Sequence, residues 1–228
     1  MNTDMILTYL SELSKNNSRD WYHDHKKEYK EANTQFESLV QELIFKIGEF
    51  DSSILDCQPK DLTFKIVRDT RFSRDKTPYL PAFRAHIGPK GKLPVPVGYY
   101  LMVMPGNRSF LGGGLFAGMF KDATAMVRDY ISEHPEEWEK ILHSEEFQPY
   151  FSVQGISLKN VPSGYDKEHP QAEYLKFKSW YVEYPVKDTD VMDADCFISH
   201  AADIYKRMKP FNDFLNKALS EFEMPKRP

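Results

Sequence analysis

The stretch RDTRFSRDKTPY, Arg68 to Tyr79, gathers residue types able to hold an anion. The guanidinium forks of Arg68 and Arg71 match the two oxygens of a carboxylate or phosphate, and Lys76 adds a point charge. Ser73 supplies a hydroxyl donor, Asp69 and Asp75 can orient the cations, and Tyr79 can line a wall. Residues 65–76 hold five basic side chains against two acidic ones, in a chain whose net charge is −4. Two readings stand side by side. In one, these residues bind an anionic small molecule, a phosphate or carboxylate, with or without catalysis. In the other, they neutralise one another in a salt-bridge lattice, and the protein is a non-catalytic interaction or structural module. Charge clusters mark functional sites and structural networks alike.

The elements around the stretch decide how its side chains point. Leu62, Phe64 and Ile66 alternate with Thr63, Lys65 and Val67, the period of a strand. Continued, that register sends Arg68, Thr70 and Phe72 to the apolar face, where a guanidinium must be paired, and Asp69, Arg71 and Ser73 to the other. DKTPY reads as a turn: Asp75 can bond nearby backbone N–H groups, and Pro78 fixes its own φ and extends Thr77.

The flanking chain reads as helices, a sheet, then helices. Ile6, Leu7, Leu10 and Leu13 keep helical spacing, NNSRDW offers Asn17 or Ser18 as a new N-cap, and Phe36, Leu39, Val40, Leu43, Ile44 and Ile47 form an amphipathic stripe. PAFRAHIG, VGYYLMVMPG and RSFLGGGLF are short, aromatic or β-branched, and separated by Pro and Gly. Their connections are too short for helical crossovers, so the strands pair antiparallel. Helices return with ATAMVRDYISEH and with PEEWEKILHS, where Pro135 suits a first turn. AEYLKFKSWYVEYPV passes from a helical turn into a strand, and Phe197 to Leu219 repeat as a long closing helix. The expectation is one α+β domain over residues 1–228, an antiparallel meander of about four to six strands packed with N- and C-terminal helices.

Other motifs are weaker. GGGLFAG fits GxGxxA at Gly112, Gly114 and Ala117, but the region where a dinucleotide fold needs an acidic strand end reads as helix. His23 and His25, two apart on a helix, do not share a face, and no third metal ligand lies at ligand spacing. Asp190, Asp193 and Asp195 lack the glycine and glutamate of a calcium loop and read as a turn and a helix cap. His169, in a loop with Tyr165 and Asp166, is a candidate for proton transfer by residue type alone, yet a hydrogen-bonded loop explains it better. No metal site and no cofactor is expected.

The net charge gives no basic footprint, so nucleic acid is disfavoured as a partner, although NNSRDWYHDHKKEY interleaves aromatic and basic side chains. Cys57 and Cys196 sit far apart in no CxxC pair, which suits reduced thiols. There is no signal-peptide pattern and no apolar run long enough to span a bilayer, so the expectation is a soluble cytoplasmic protein with no membrane partner.

Four segments together resemble an uncharacterised family, domain of unknown function (DUF) 2461: NNSRDWYHDHKKEY at 16–29, RDTRFSRDKTPY at 68–79, GYYLMVMPG leading to LGGGLFAG within 98–118, and VPSGYDKEHPQAEYLKFKSW at 161–180. The match keeps its order over nearly the whole chain. The chain departs from the family's pattern at Leu80, where Lys is common, and at Gly118, where Pro is common. The resemblance implies a single α+β domain and transfers no activity.

Overall fold

Apolar spacing and capping chemistry explain the N-terminal helices. In the computed structural model, which describes residues 1–116, 118 and 120–225, α1 spans Thr3–Lys15 and its N-cap Asn2 accepts from the Met5 N–H at 3.0 Å. Asn16 and Asn17 interrupt the helix. Ser18 then caps α2, Arg19–Asp24, accepting from the Trp21 N–H at 3.2 Å. The predicted stripe from Phe36 to Ile47 is fully buried along α3, Lys26–Gly48. A 3-10 turn at Ser52–Ile54 and the short α4, Pro59–Leu62, follow.

The sheet has four strands, β1 Phe83–Ile87, β2 Tyr99–Val103, β3 Ser109–Leu115 and β4 Trp180–Val186, antiparallel in the order β1-β2-β3-β4. The remaining helices are α5 Lys121–Glu133, α6 Pro135–Leu142, α7 Ala172–Leu175, α8 Asp188–Met192 and α9 Ala194–Ala218. The protein is therefore α+β, with an antiparallel sheet of short connections between β1, β2 and β3. Among the described residues, no helix is long and apolar enough to cross a membrane.

The expected strand beginning at Leu62 is not a regular strand. Pro59 starts a helical turn there, and the chain beyond it makes only two isolated bridges, Thr63 with Ala85 and Val67 with Tyr79. Between those bridges, three residues on one side face five on the other. The excess is a bulge at Pro81 and Ala82, where proline offers no ladder donor and the Ala82 N–H turns back to the Leu80 carbonyl at 2.8 Å. The alternation of faces nonetheless persists: Leu62 and Ile66 are buried, whereas Lys65 and Val67 are exposed.

The chain divides into two compact units, and β2, β3, β4 and α9 contribute residues to both. The first comprises residues 1–92, 100–111 and 185–204. Its core is the inner face of α1 and α3 against β1, with the Phe36 and Phe83 rings stacked at 5.2 Å. The second comprises residues 93–99, 112–184 and 205–228. Its core centres on the buried Trp138, whose ring lies 4.9 Å from Phe214, 5.4 Å from Tyr174 and 5.7 Å from Phe211. In the same unit His169 donates from Nε2 to the Ser132 carbonyl at 3.1 Å and accepts from the Gln171 N–H at Nδ1. That loop is hydrogen-bonded in place, with Tyr165 donating to Asp129 at 2.6 Å.

Two glycines of the second unit share a left-handed backbone but not their surroundings. Gly114 has φ +98°, and a Cβ there would collide with the Trp180 carbonyl and come within 2.8 Å of the Phe211 ring; Gly164 has φ +99° and nothing within 4 Å. Gly114→Ala is expected to cost at least about 2 kcal/mol in urea unfolding, and Gly164→Ala about 1 kcal/mol from backbone strain alone. Equal losses would place the whole effect in φ.

Candidate functional site

The 68–79 loop is closed at its base by backbone bonds. The Arg68 N–H donates to the Pro78 carbonyl at 2.9 Å and the Leu80 N–H to the Ile66 carbonyl at 2.7 Å. Further out the chain turns, with the Ser73 N–H on the Thr70 carbonyl at 3.3 Å, so the alternation of faces expected through Ser73 ends at that turn. All of these residues lie in the first unit.

Arg68 points inward along the loop, towards polar groups and not the apolar face that a continued strand would give it, and its charge is used there. Its guanidinium donates to the Asp75 carboxylate, to the Thr77 hydroxyl at 2.5 Å and to the Ser73 hydroxyl at 3.5 Å. The Arg68 side chain is 25% exposed. Asp75 also accepts from the Thr77 N–H at 2.9 Å and the Thr77 hydroxyl at 2.8 Å. The bond from the Thr77 backbone, then Arg68 and the Thr77 hydroxyl, hold its carboxyl at about 2 against an ordinary 3.8. Arg68, Ser73, Asp75 and Thr77 thus form one closed network that braces the loop from inside.

Arg71 points to solvent, 78% exposed, with its fork on Asp69: Nε to Oδ1 at 3.0 Å and Nη2 to Oδ2 at 2.6 Å. That side-chain pairing, with the Arg71 N–H on Asp69, lowers the Asp69 pKa. The Lys76 ammonium donates to the Thr70 carbonyl at 2.9 Å. Among the described residues, Lys65, Arg74 and Lys76 have no carboxylate partner; they carry the three positive charges in excess. Phe72, between Arg71 and Arg74, is 96% exposed.

Tyr79 is not at the loop's surface. It is buried, and its ring stacks on Tyr22 of α2 at 4.5 Å. Its backbone is held by one side chain: the Asn17 amide donates from Nδ2 to the Tyr79 carbonyl at 2.8 Å and accepts at Oδ1 from the Tyr79 N–H at 3.1 Å. Asn17, expected as a possible helix cap, instead pairs with the chain like a neighbouring strand and leaves the capping to Ser18. Tyr22 in turn packs 5.3 Å from Tyr29, and Tyr29 5.9 Å from Tyr9. Thus the structure joins the segment at 16–29 to the loop at 68–79.

The predicted residues therefore separate into groups. Arg68, Ser73 and Asp75 face one another; Asp69 and Arg71 form an outward pair; Lys76 bonds the backbone; Tyr79 belongs to the core. Three hollows of about 420, 370 and 320 Å³ lie in this unit, and none is lined by a residue of 68–79. Sequence reasoning missed Asn17 as the tie, which nothing in a single chain signals. The strand register also put Phe72 on the apolar face with Arg68, whereas the chain turns between Thr70 and Ser73 and leaves Phe72 in solvent. Among the described residues no group of three His, Cys, Asp or Glu side chains could hold a metal ion. The GxGxxA reading includes Ala117, which lies outside the described residues.

The fold and this loop define an α+β protein that presents a braced, basic hairpin tip. Residues 5–214 match the model of the family described as conserved hypothetical protein (DUF2461), and the chain belongs to that family. No curated protein and no solved structure matches the chain. At one of the two departures from the family pattern, the Gly118 N–H donates to the Phe116 carbonyl at 3.2 Å, a bond that a proline there would lack.

Removing the tie should loosen the loop base. Asn17→Ala is expected to lower unfolding stability by about 2 kcal/mol, because both polar groups of a buried backbone lose their partner. A change below about 0.5 kcal/mol would show that the pairing contributes nothing. Because the folded pKa of Asp75 is depressed, its stabilising effect is full above the ordinary carboxylate range and is lost as pH falls from about 4 to about 2. Carboxyl NMR should find its titration midpoint near 2 and, in Arg68→Ala, a rise towards 3.8; an ordinary midpoint in the parent protein would contradict the network.

Proposed function

We propose that the protein is a binding module that docks an anionic partner, bearing phosphate or carboxylate groups, on the outward side of the 65–76 segment. The observation that carries this reading is Phe72, 96% exposed between Arg71 and Arg74 on a loop braced from within. An aromatic ring and arginines at a fixed, projecting tip have the composition of an interface hot spot. Lys65, Arg74 and Lys76 supply the positive field, since both acids of the segment are taken up by Arg68 and Arg71. A projecting tip favours a partner's surface over a small molecule, because small-molecule sites are concave.

The internal network also supports part of the lattice reading. Arg68 serves the loop and not the ligand, and a grip by Arg68 on an anion would have to displace Asp75. Its pair is only partly buried, so Arg68→Ala is expected to cost about 1 kcal/mol, less than a fully buried pair would.

The test is a titration of the full chain with inorganic phosphate, nucleotides, citrate, an oligoglutamate peptide and a single-stranded oligonucleotide, at two salt concentrations. Salt-sensitive binding to a multivalent anion is expected, weakened at least about tenfold by Arg74→Glu and by Phe72→Ala. Both variants should keep their unfolding free energy within about 0.5 kcal/mol, as surface changes do. Binding that ignores both substitutions, or no binding across the panel, would overturn the reading.

A further inference from the structure

The outer face of the sheet in the first unit carries a row of aromatic rings. The side chains of Phe83, Ala85, Leu101 and Leu111 are buried on the inner face, so alternation turns Arg84 of β1, Tyr100 of β2 and Phe110 of β3 the other way. Phe64 joins them from the segment bridged to β1, where its N–H donates to the Arg84 carbonyl at 2.9 Å. All four are half-buried. The Phe64 ring lies 6.3 Å from Tyr100, and Tyr100 lies 5.7 Å from Phe110 with the two planes 21° apart.

The charge beside these rings is positive. The Arg84 guanidinium stands 5.4 Å from the centre of the Phe64 ring and donates from Nη2 to the Lys65 carbonyl at 3.3 Å. Among the described residues Arg84 has no carboxylate partner, and the strand residues of this unit, 83–87, 100–103 and 109–111, include no Asp or Glu. Lys65 follows Phe64 directly, is exposed, and opens the basic segment in which Arg74 and Lys76 also lack carboxylates. The net charge of −4 belongs to the whole chain and does not describe this face.

We propose that the anionic partner of the loop is a single-stranded nucleic acid, its phosphates on Lys65, Arg74 and Lys76 and its bases stacked on Phe64, Tyr100 and Phe110. This rests on the reading that the 65–76 segment docks an anion, and it names the partner's class. Every base has a π-face, and half-buried rings keep part of theirs in solvent, so stacking needs no particular sequence. A row of rings on a sheet face suits successive bases of a strand. It does not suit a lone nucleotide, since small-molecule sites are concave and the three hollows of this unit are not lined by Phe64, Tyr100 or Phe110. An acidic peptide would use the cations and leave the rings without a role.

The test is fluorescence anisotropy of the full chain with a labelled single-stranded thymidine decamer and with an abasic decamer that has the same phosphates but no bases, at two salt concentrations. The thymidine decamer should bind at least about tenfold more tightly, and less tightly as salt rises. Phe64→Leu and Phe110→Leu keep apolar bulk and remove the π-face. Each should stay folded by circular dichroism, weaken the thymidine decamer at least about fivefold and leave the abasic decamer within about twofold. The comparison of the two decamers on the parent protein decides the matter even where a variant does not fold. Arg74→Glu should weaken both decamers. Equal binding of the two decamers, or folded ring variants that bind the thymidine decamer as the parent does, would overturn the stacking and leave the loop reading standing. An oligoglutamate of equal charge that binds more tightly than the thymidine decamer would do the same, with an acidic protein as the occupant. No binding of any of these anions would overturn both.

Discussion

One side-chain amide ties the loop to the N-terminal helices. Asn17 pairs with both polar backbone groups of Tyr79, 62 residues away in sequence, so the tie joins the helical hairpin to the base of the 68–79 loop. An extended segment that makes only isolated bridges would otherwise have little to fix its position, because ladder bonds stabilise strands cooperatively and isolated ones do not. With Tyr79 held, its ring stacks on Tyr22, and a row of ring contacts continues through Tyr29 and Tyr9, tilted against one another, to Phe83 of β1. The loop base is thereby built into the core of its unit, while the tip remains in solvent.

Charge is sorted by the same arrangement. The two acids of the loop are spent internally, Asp75 on Arg68 and Asp69 on Arg71, so the cations left over all belong to the outward side. On the helices the balance runs the other way: two of four carboxylates around the hollow of about 420 Å³ are answered by lysines and two are not. One unit thus carries an exposed basic tip and a hollow lined by carboxylates.

The helices were legible because periodicity is a local signal. The stripe from Phe36 to Ile47 needed nothing beyond neighbouring residues, the cap expected at Asn17 or Ser18 is Ser18, and Pro135 stands at the start of α6 as expected. The strand at Leu62 failed for an equally physical reason. Its alternation was real, but Pro81 on the opposite segment forces a bulge that breaks the ladder, and one segment's pattern says nothing of its partner's donors. In the loop, the register separated Arg68 from Arg71, but it also put Ser73 on the face away from Arg68 and Phe72 beside it, whereas the turn between Thr70 and Ser73 brings Ser73 to Arg68 and Phe72 to solvent. Which acid serves which arginine could not be read, since Arg68 passes over the adjacent Asp69 for Asp75. Tyr79 read as a wall because tyrosine suits one, whereas its burial depends on Tyr22 and Asn17 arriving from another part of the chain. The hollow has no motif at all: it exists only once α1 packs on α3.

The central claim is that the loop base opens and closes as one unit with the Asn17 tie. Native-state hydrogen exchange tests it directly on the parent protein. The Arg68, Tyr79 and Leu80 amides, whose acceptors are the Pro78 carbonyl, the Asn17 side chain and the Ile66 carbonyl, should exchange with a common free energy of opening. That energy should lie well above the energy for the amides at the tip, such as those of Phe72 and Arg74. Exchange of the Tyr79 amide at the rate of the tip amides, with Leu80 still protected, would contradict the account.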